Sequence, residues 1–321
     1  MSRLVLYVLV LGAVASAAGA AYTYEGGWGR EGYANGEFRY PLGLALSGTR
    51  NVYIADQGND RIQYFDSSGS YLGRWGSRGT GPGQFQNPSG LAFGPNGNLY
   101  VAECMGDRVQ CFTAAGSFLY MWGSYGSGPG QLYYPREVSV AANGNVYVAD
   151  TRNQRIQYFT STGSYLGQWG EAGTGQGQFD FPIGVAVAPG GRIYVTEYRN
   201  HRVQYFTASG SFLGVWGSEG TGAGEFTNPM AVAVGPDGTV FVGDTKNSRV
   251  QYFTAAGSFL GSFGGYGTGS GEMNEVTGMT CWPTGARVYA VDYYGCRIQY
   301  FDRNEPAVAP ASLGRVKALY R

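Results

Sequence analysis

The fold is decided by the stretch Gly144-Asn145-Val146-Tyr147-Val148-Ala149-Asp150-Thr151-Arg152-Asn153-Gln154-Arg155-Ile156-Gln157-Tyr158-Phe159. Asn143-Gly144 just before it is a hairpin signal, because both residues accept positive φ. Asn145 to Asp150 then reads as one strand and Arg155 to Thr160 as the next. Both carry apolar side chains on both faces, with Val146 and Val148 on one side and Tyr147 and Ala149 on the other. That pattern suits a sheet covered on both sides. Upstream, Glu137 to Ala141 after Pro135 forms a short first strand; downstream, a turn at Gly163 leads to a fourth strand, Tyr165 to Trp169.

The same unit recurs along the chain. Trp28, Trp75, Trp122, Trp169 and Trp216 are each 47 residues apart, and Phe263 continues the series. Pro41, Pro88, Pro135, Pro182 and Pro229 keep the interval. So do the acids Asp56, Glu103, Asp150, Glu197 and Asp244, each followed five residues later by Arg61, Arg108, Arg155, Arg202 or Arg249. In the sixth unit the pair is Asp292 and Arg297, one residue late, and the extra residue belongs to the turn around Pro283-Thr284-Gly285. Four short antiparallel strands per unit of this length is the pattern of a propeller blade. The fold class is therefore all-β, a six-bladed β-propeller over residues 21–303. The Gly content and the lack of helical periodicity exclude an α-solenoid.

The ends of the repeat predict how the ring closes. Tyr24 stands 47 residues before Tyr71, so the segment 22–29 is a fourth strand without the first three. Arg297 to Phe301 is a third strand, and Asn304-Glu305-Pro306 after it lacks the fourth-strand pattern. Residues 22–29 are expected to pair with 297–302 and hide both edges. Glu25 departs from the Leu of the other units.

The units resemble NHL repeats over about residues 22–302, most closely in the stretch quoted first. Asn59, Asn153, Asn200 and Asn247 keep the Asn-x-Arg element, while Gly106 and Gly295 depart from it. The resemblance implies a propeller, but little about function, since function resides in sites grafted on folds. NHL propellers include RNA-binding and protein-binding domains, extracellular sensors and a few lyases, which look metal-dependent and use several histidines near the channel. This chain has one, His201, in a variable turn where the other units have Asp60, Asp107, Gln154, Ser248 and Cys296. One imidazole builds neither a multi-histidine zinc site nor, without a nucleophile elbow, a triad. We read it as a solvated turn residue.

Residues 1–20 read as a signal peptide: Arg3, an apolar run from Leu4 to Val14, and the small residues Ala18-Gly19-Ala20. The expected location is secreted or extracytoplasmic, at the cell surface or in the periplasm. No transmembrane segment is expected after cleavage, and the propeller is read as a monomer. A formal net charge of +0 argues against a nucleic-acid partner. Residues 304–321 form a tail, either a linker or a sorting or attachment segment. Cys104, Cys111, Cys281 and Cys296 lack a metal-site spacing and are expected as free thiols.

Two readings of function follow. Acids repeated in every blade are best explained as structural partners of their arginines, and the Gln series (Gln63, Gln110, Gln157, Gln204, Gln251, Gln299) and the Trp series likewise. Function is then sought where units differ, in the turns between strands two and three and the loops before each first strand. These place Tyr40, Tyr134, Arg136, Glu137, Arg152, Phe181, Tyr198, Arg199, Lys246 and Tyr293 on one face, residue types suited to binding a protein, peptide or glycan without catalysis. The alternative is a lyase or hydrolase with Ca²⁺ or Mg²⁺ held by carboxylates in the central channel.

Overall fold

The computed structural model describes residues 21–304. The expected signal peptide over 1–20 and the tail beyond Asn304 lie outside the described residues. Six four-stranded antiparallel sheets stand around a central channel. Blade 3 runs Pro135–Val140, Val146–Asp150, Arg155–Phe159 and Tyr165–Trp169. The second strand is buried throughout, as its two apolar faces require. At the hairpin, Gly144 takes a φ of 87° and its N–H donates to Ala141.

The seam lies where the sequence puts it. Tyr22–Trp28 is the outer strand of blade 6, antiparallel to Arg297–Arg303, with Tyr22 opposite Arg303 and Trp28 opposite Ile298. The ladder slips between Tyr24 and Gly26, which makes Glu25 a bulge residue. Blade 1 slips at the equivalent Leu72, which is exposed. The departure at Glu25 is harmless because its side chain faces water.

The core lies between blades. One buried cluster joins Tyr100, Val109 and Phe159, and its neighbour joins Tyr147, Ile156 and Phe206. Each Trp leans on the following blade: Trp122 meets Phe159 at 5.8 Å and covers Gly163, where a Cβ would collide with the indole.

The repeated acids sit at blade tips, fully buried. Asp150 accepts hydrogen bonds from Arg155 Nε at 2.7 Å, Gln157 Nε2 at 2.9 Å, both its oxygens from Asn153, and the Tyr133 N–H at 2.7 Å. Arg155 spends its other donors on the carbonyls of Ser127, Gly128 and Gln131 and on the Gln168 side-chain oxygen. The network thus folds the Gly-rich loop that enters each blade. Burial pushes the carboxyls of Asp56 and Glu103 upward, against the pull of Arg61 and Arg108. The same pair holds in every blade: Glu197 with Arg202, Asp244 with Arg249, Asp292 with Arg297. Where the sixth unit has Gly295 in place of Asn, its backbone N–H donates to Asp292.

All four cysteines are free thiols. Among the described residues no helix is long and apolar enough to cross a membrane.

Candidate functional site: one mouth of the channel

The two variable loop sets meet on one face. The Arg152 N–H donates to Tyr133, Tyr198 to Phe181, and Tyr293 to Glu275, each tying a strand-two-to-three turn to the loop before a first strand. A second bond links neighbouring blades. Asp60 accepts from the Asn87 N–H, Asp107 from Tyr134, Gln154 from Phe181 and His201 Nδ1 from Asn228 at 3.0 Å. His201 is therefore half-buried and corrects our reading of it as a solvated residue: its ring is a clamp between blades 4 and 5.

These bonds hold the pre-strand residue in the left-handed region. Tyr40, Tyr134 and Phe181 have φ of 49°, 57° and 54°. The same position in blades 2 and 5 is Asn87 or Asn228, a residue that adopts this conformation cheaply, and in blade 6 it is Glu275 with a φ of 68°. Three aromatic residues thus occupy a backbone conformation that disfavours them, a type of strain that concentrates at functional sites.

The face divides into neighbourhoods. Tyr134, Arg136, Arg152, Phe181 and Tyr198 line one cleft of about 270 Å³, together with Thr151, Ile183 and Met230. Arg152 lies over the Tyr134 ring at 5.1 Å and Arg199 over Phe181 at 3.9 Å. Tyr40 and Tyr293 pair at 5.4 Å in a second cluster with Tyr294. Burial pushes the Tyr293 hydroxyl up to about 12. Lys246 forms an ion pair with Glu275, which holds its ammonium above the ordinary value. Our reading missed Ile183 and Met230. Both follow the Pro position by one residue, as Arg136 does, so the alignment that singled out Arg136 also marked them.

Glu137 does not belong to this cleft. Pro135 pairs with Asp150 and Val138 with Val148, so Arg136 and Glu137 form a bulge that re-aims adjacent side chains. Arg136 stays at the mouth, whereas Glu137 lines a cavity of about 220 Å³ within the channel. One of its carboxylate oxygens accepts from the Val138 N–H at 3.0 Å. Part of its surface faces the lumen and the rest is walled in, and burial pushes its carboxyl up to about 8.

A channel cation would need several oxygen donors converging. The repeated acids are committed to their own Arg, Gln and backbone donors, and among the described residues lining the channel cavity Glu137 has no second carboxylate beside it. Among the described residues no group of three or more His, Cys, Asp or Glu is placed to share an ion.

Six sheets of four antiparallel strands around a channel define the class, a six-bladed β-propeller. The family model for the NHL repeat matches residues 85–112, 132–159, 179–206 and 226–253, and the chain is an NHL-repeat six-bladed propeller. Comparison with curated proteins returned no match. Among solved structures, the chain is similar to a gluconolactonase from Xanthomonas campestris (15% identity, 83% of this chain and 87% of that one, TM-score 0.64). It is also similar to virginiamycin B lyase from Staphylococcus aureus, solved with quinupristin (14% identity, 88% and 99%, TM-score 0.61), and to a streptogramin B lyase (18% identity, 82% and 79%, TM-score 0.59). At these identities the likeness is one of fold.

Proposed function

We propose that this propeller is a secreted or cell-surface binding module that docks a partner on the mouth bearing Tyr40, Tyr134, Phe181, Tyr198 and Tyr293. The observation that carries the reading is the left-handed backbone of Tyr40, Tyr134 and Phe181. The fold alone would be better served by Asn at those positions, so the rings have another use. Aromatic and Arg side chains on a rigid scaffold supply large contact area at small entropic cost. The leader-like residues 1–20 support export. The catalytic alternative has weaker support, since the donor set for a cation is lacking among the described residues.

Partner recovery on immobilised protein tests the reading. Changing Tyr198, Arg199 and Tyr293 to Ala together should abolish recovery of whatever the parent retains. Phe181→Asn should weaken it while leaving thermal stability equal or higher, because Asn relieves the backbone strain. Unchanged recovery by both variants would sink the docking face.

A further inference from the structure

The cleft over blades 3 to 5 has two unlike halves. Its floor is Ile183 and Met230, buried side chains with no N–H or O–H to offer. Its wall is Arg136, whose guanidinium lies over the Tyr134 ring at 5.7 Å and reaches the Cys104 thiol, while its Nε, shut off from solvent, has no oxygen acceptor among the described residues. Buried donors in native folds are nearly always satisfied; five tryptophan Nε1 atoms of the repeat also lack a partner, and the Arg136 Nε differs from them in belonging to a charged group. The carboxylates of the surrounding loops are engaged elsewhere. Glu275 holds Lys246, Asp180 faces Arg199 at 3.7 Å, and Asp107 accepts from the Tyr134 N–H. Glu137, next in the chain, turns into the channel. The guanidinium thus lines the cleft with no carboxylate paired to it among the described residues, and an anion from outside fits it.

The floor narrows the class. A sugar carries a hydroxyl on nearly every ring carbon, and each would need a partner. Ile183 offers none, and the Thr151 hydroxyl already donates to the Pro182 carbonyl at 2.7 Å. An apolar side chain suits this surface, framed by Phe181 and Tyr198. Resting on the reading that this face is the docking face, we infer that the cleft takes a carboxylate flanked by a bulky apolar side chain, as an acidic hydrophobic peptide segment presents it. The carboxylate meets the Arg136 guanidinium, whose planar fork matches it. The apolar group covers Ile183 and Met230. The carboxylate can be a chain terminus or an Asp or Glu side chain.

Fluorescence anisotropy with three labelled peptides tests this: Gly-Ser-Gly-Ala-Gln-Phe as the free acid, Gly-Ser-Gly-Ala-Glu-Phe as the C-terminal amide, and Gly-Ser-Gly-Ala-Gln-Phe as the amide, which has no carboxylate. At least one of the first two should bind about tenfold or more tightly than the third. Preference for the free acid assigns a chain terminus, and preference for the Glu peptide a side chain. Arg136→Met should erase the preference. It breaks no ion pair, removing only the contacts to the Cys104 thiol and the Tyr134 ring, and a far-UV spectrum and melt confirm that it folds. Tyr198→Ser, a second variant, should weaken every peptide that binds. Equal binding of the neutral peptide, no binding of any peptide, or a preference that survives Arg136→Met overturns the inference. A glucuronate oligomer is the fourth probe. If it binds and the peptides do not, the ligand class is wrong while the docking face stands. If the face variants also leave partner recovery unchanged, the underlying reading falls as well.

Discussion

Glu137 occupies a position that the other blades fill with Gly43, Gly90, Gly184, Ala231 and Gly278. The small residues are required because neighbouring inner strands nearly touch. A Cβ at Gly43 would run into the Ser89 carbonyl, and one at Gly184 into that of Met230. In blade 3 the Glu137 side chain lies against Gly90, where a Cβ would meet it. The consequence is a titration. Its folded-state carboxyl is held near 8 by burial, against an ordinary 4.5. Between those values the folded chain keeps a proton that the unfolded chain has lost. The contribution of Glu137 to stability is therefore full below about pH 4.5 and is lost as pH rises to about 8. Melting temperatures of the parent and of Glu137→Gln, measured from pH 5 to pH 9, should diverge in favour of Gln up to about pH 8 and then run parallel. Curves parallel throughout would mean that Glu137 titrates normally. At this scale the sequence showed that Arg136 and Glu137 break the symmetry. It did not show that they part company, because the parting comes from a bulge between strands and no spacing within one strand records it.

A blade is held by its tip as much as by its ladder. The buried acid gathers Arg, in five blades Gln and in four Asn, and through Arg it fixes the incoming Gly-rich loop. Removing the acid leaves a nearly buried guanidinium without its counter-charge. Asp150→Ala should therefore cost about 3–5 kcal/mol in denaturant unfolding, the range for breaking a buried pair by deleting one member. A loss below about 1 kcal/mol would show that solvent reaches Arg155 and replaces the carboxylate. The strands themselves were legible almost residue by residue, since Val, Tyr and Phe at period two cannot bury both faces in any other element. The first strand begins two residues earlier than predicted, at Pro135, because a Pro can still pair across a bulge. The function of the αL positions was not legible. Asp60, Asp107, Gln154 and His201 share no chemistry beyond an acceptor atom, which makes them look like random turn residues.

No blade owns a core, so the ring stands or falls as a whole. A row of hydroxyls stitches it: Tyr53 donates to Ala114, Tyr100 to Ser161, Tyr147 to Ala208, Tyr194 to Ala255 and Tyr289 to Ser67, each reaching the next blade. The series lapses at Phe241, whose neighbour is the interrupted sixth blade. There Tyr22 packs edge-on to Phe241 at 5.3 Å and sends its hydroxyl to the Gly285 carbonyl. Deleting residues 21–29 removes this substitute and bares the edge of Arg297–Arg303. We expect the truncated chain to melt more than 10 °C lower, roughly the effect of losing several kcal/mol, and to self-associate in size-exclusion chromatography. A synthetic peptide of residues 21–29 added in trans should restore much of both. A truncated chain that melts like the parent would show the seam to be ornamental.

The seam also sets an order of events in time. Tyr22–Trp28 emerges before any blade, yet its partner strand Arg297–Arg303 is the last part of the ring to be made. At about 5–20 residues per second, that interval is on the order of tens of seconds. Throughout it a short strand rich in Tyr and Gly has no mate, while blades 1 to 5 can already stack. Each of those blades presents a third strand closely similar to the one awaited, Arg61–Phe65 first among them. Each of these is claimed by a fourth strand only six residues further on, which arrives almost at once. Local pairing thus outruns the long-range competitor five times over, and the early strand is left for the one site where nothing local contends.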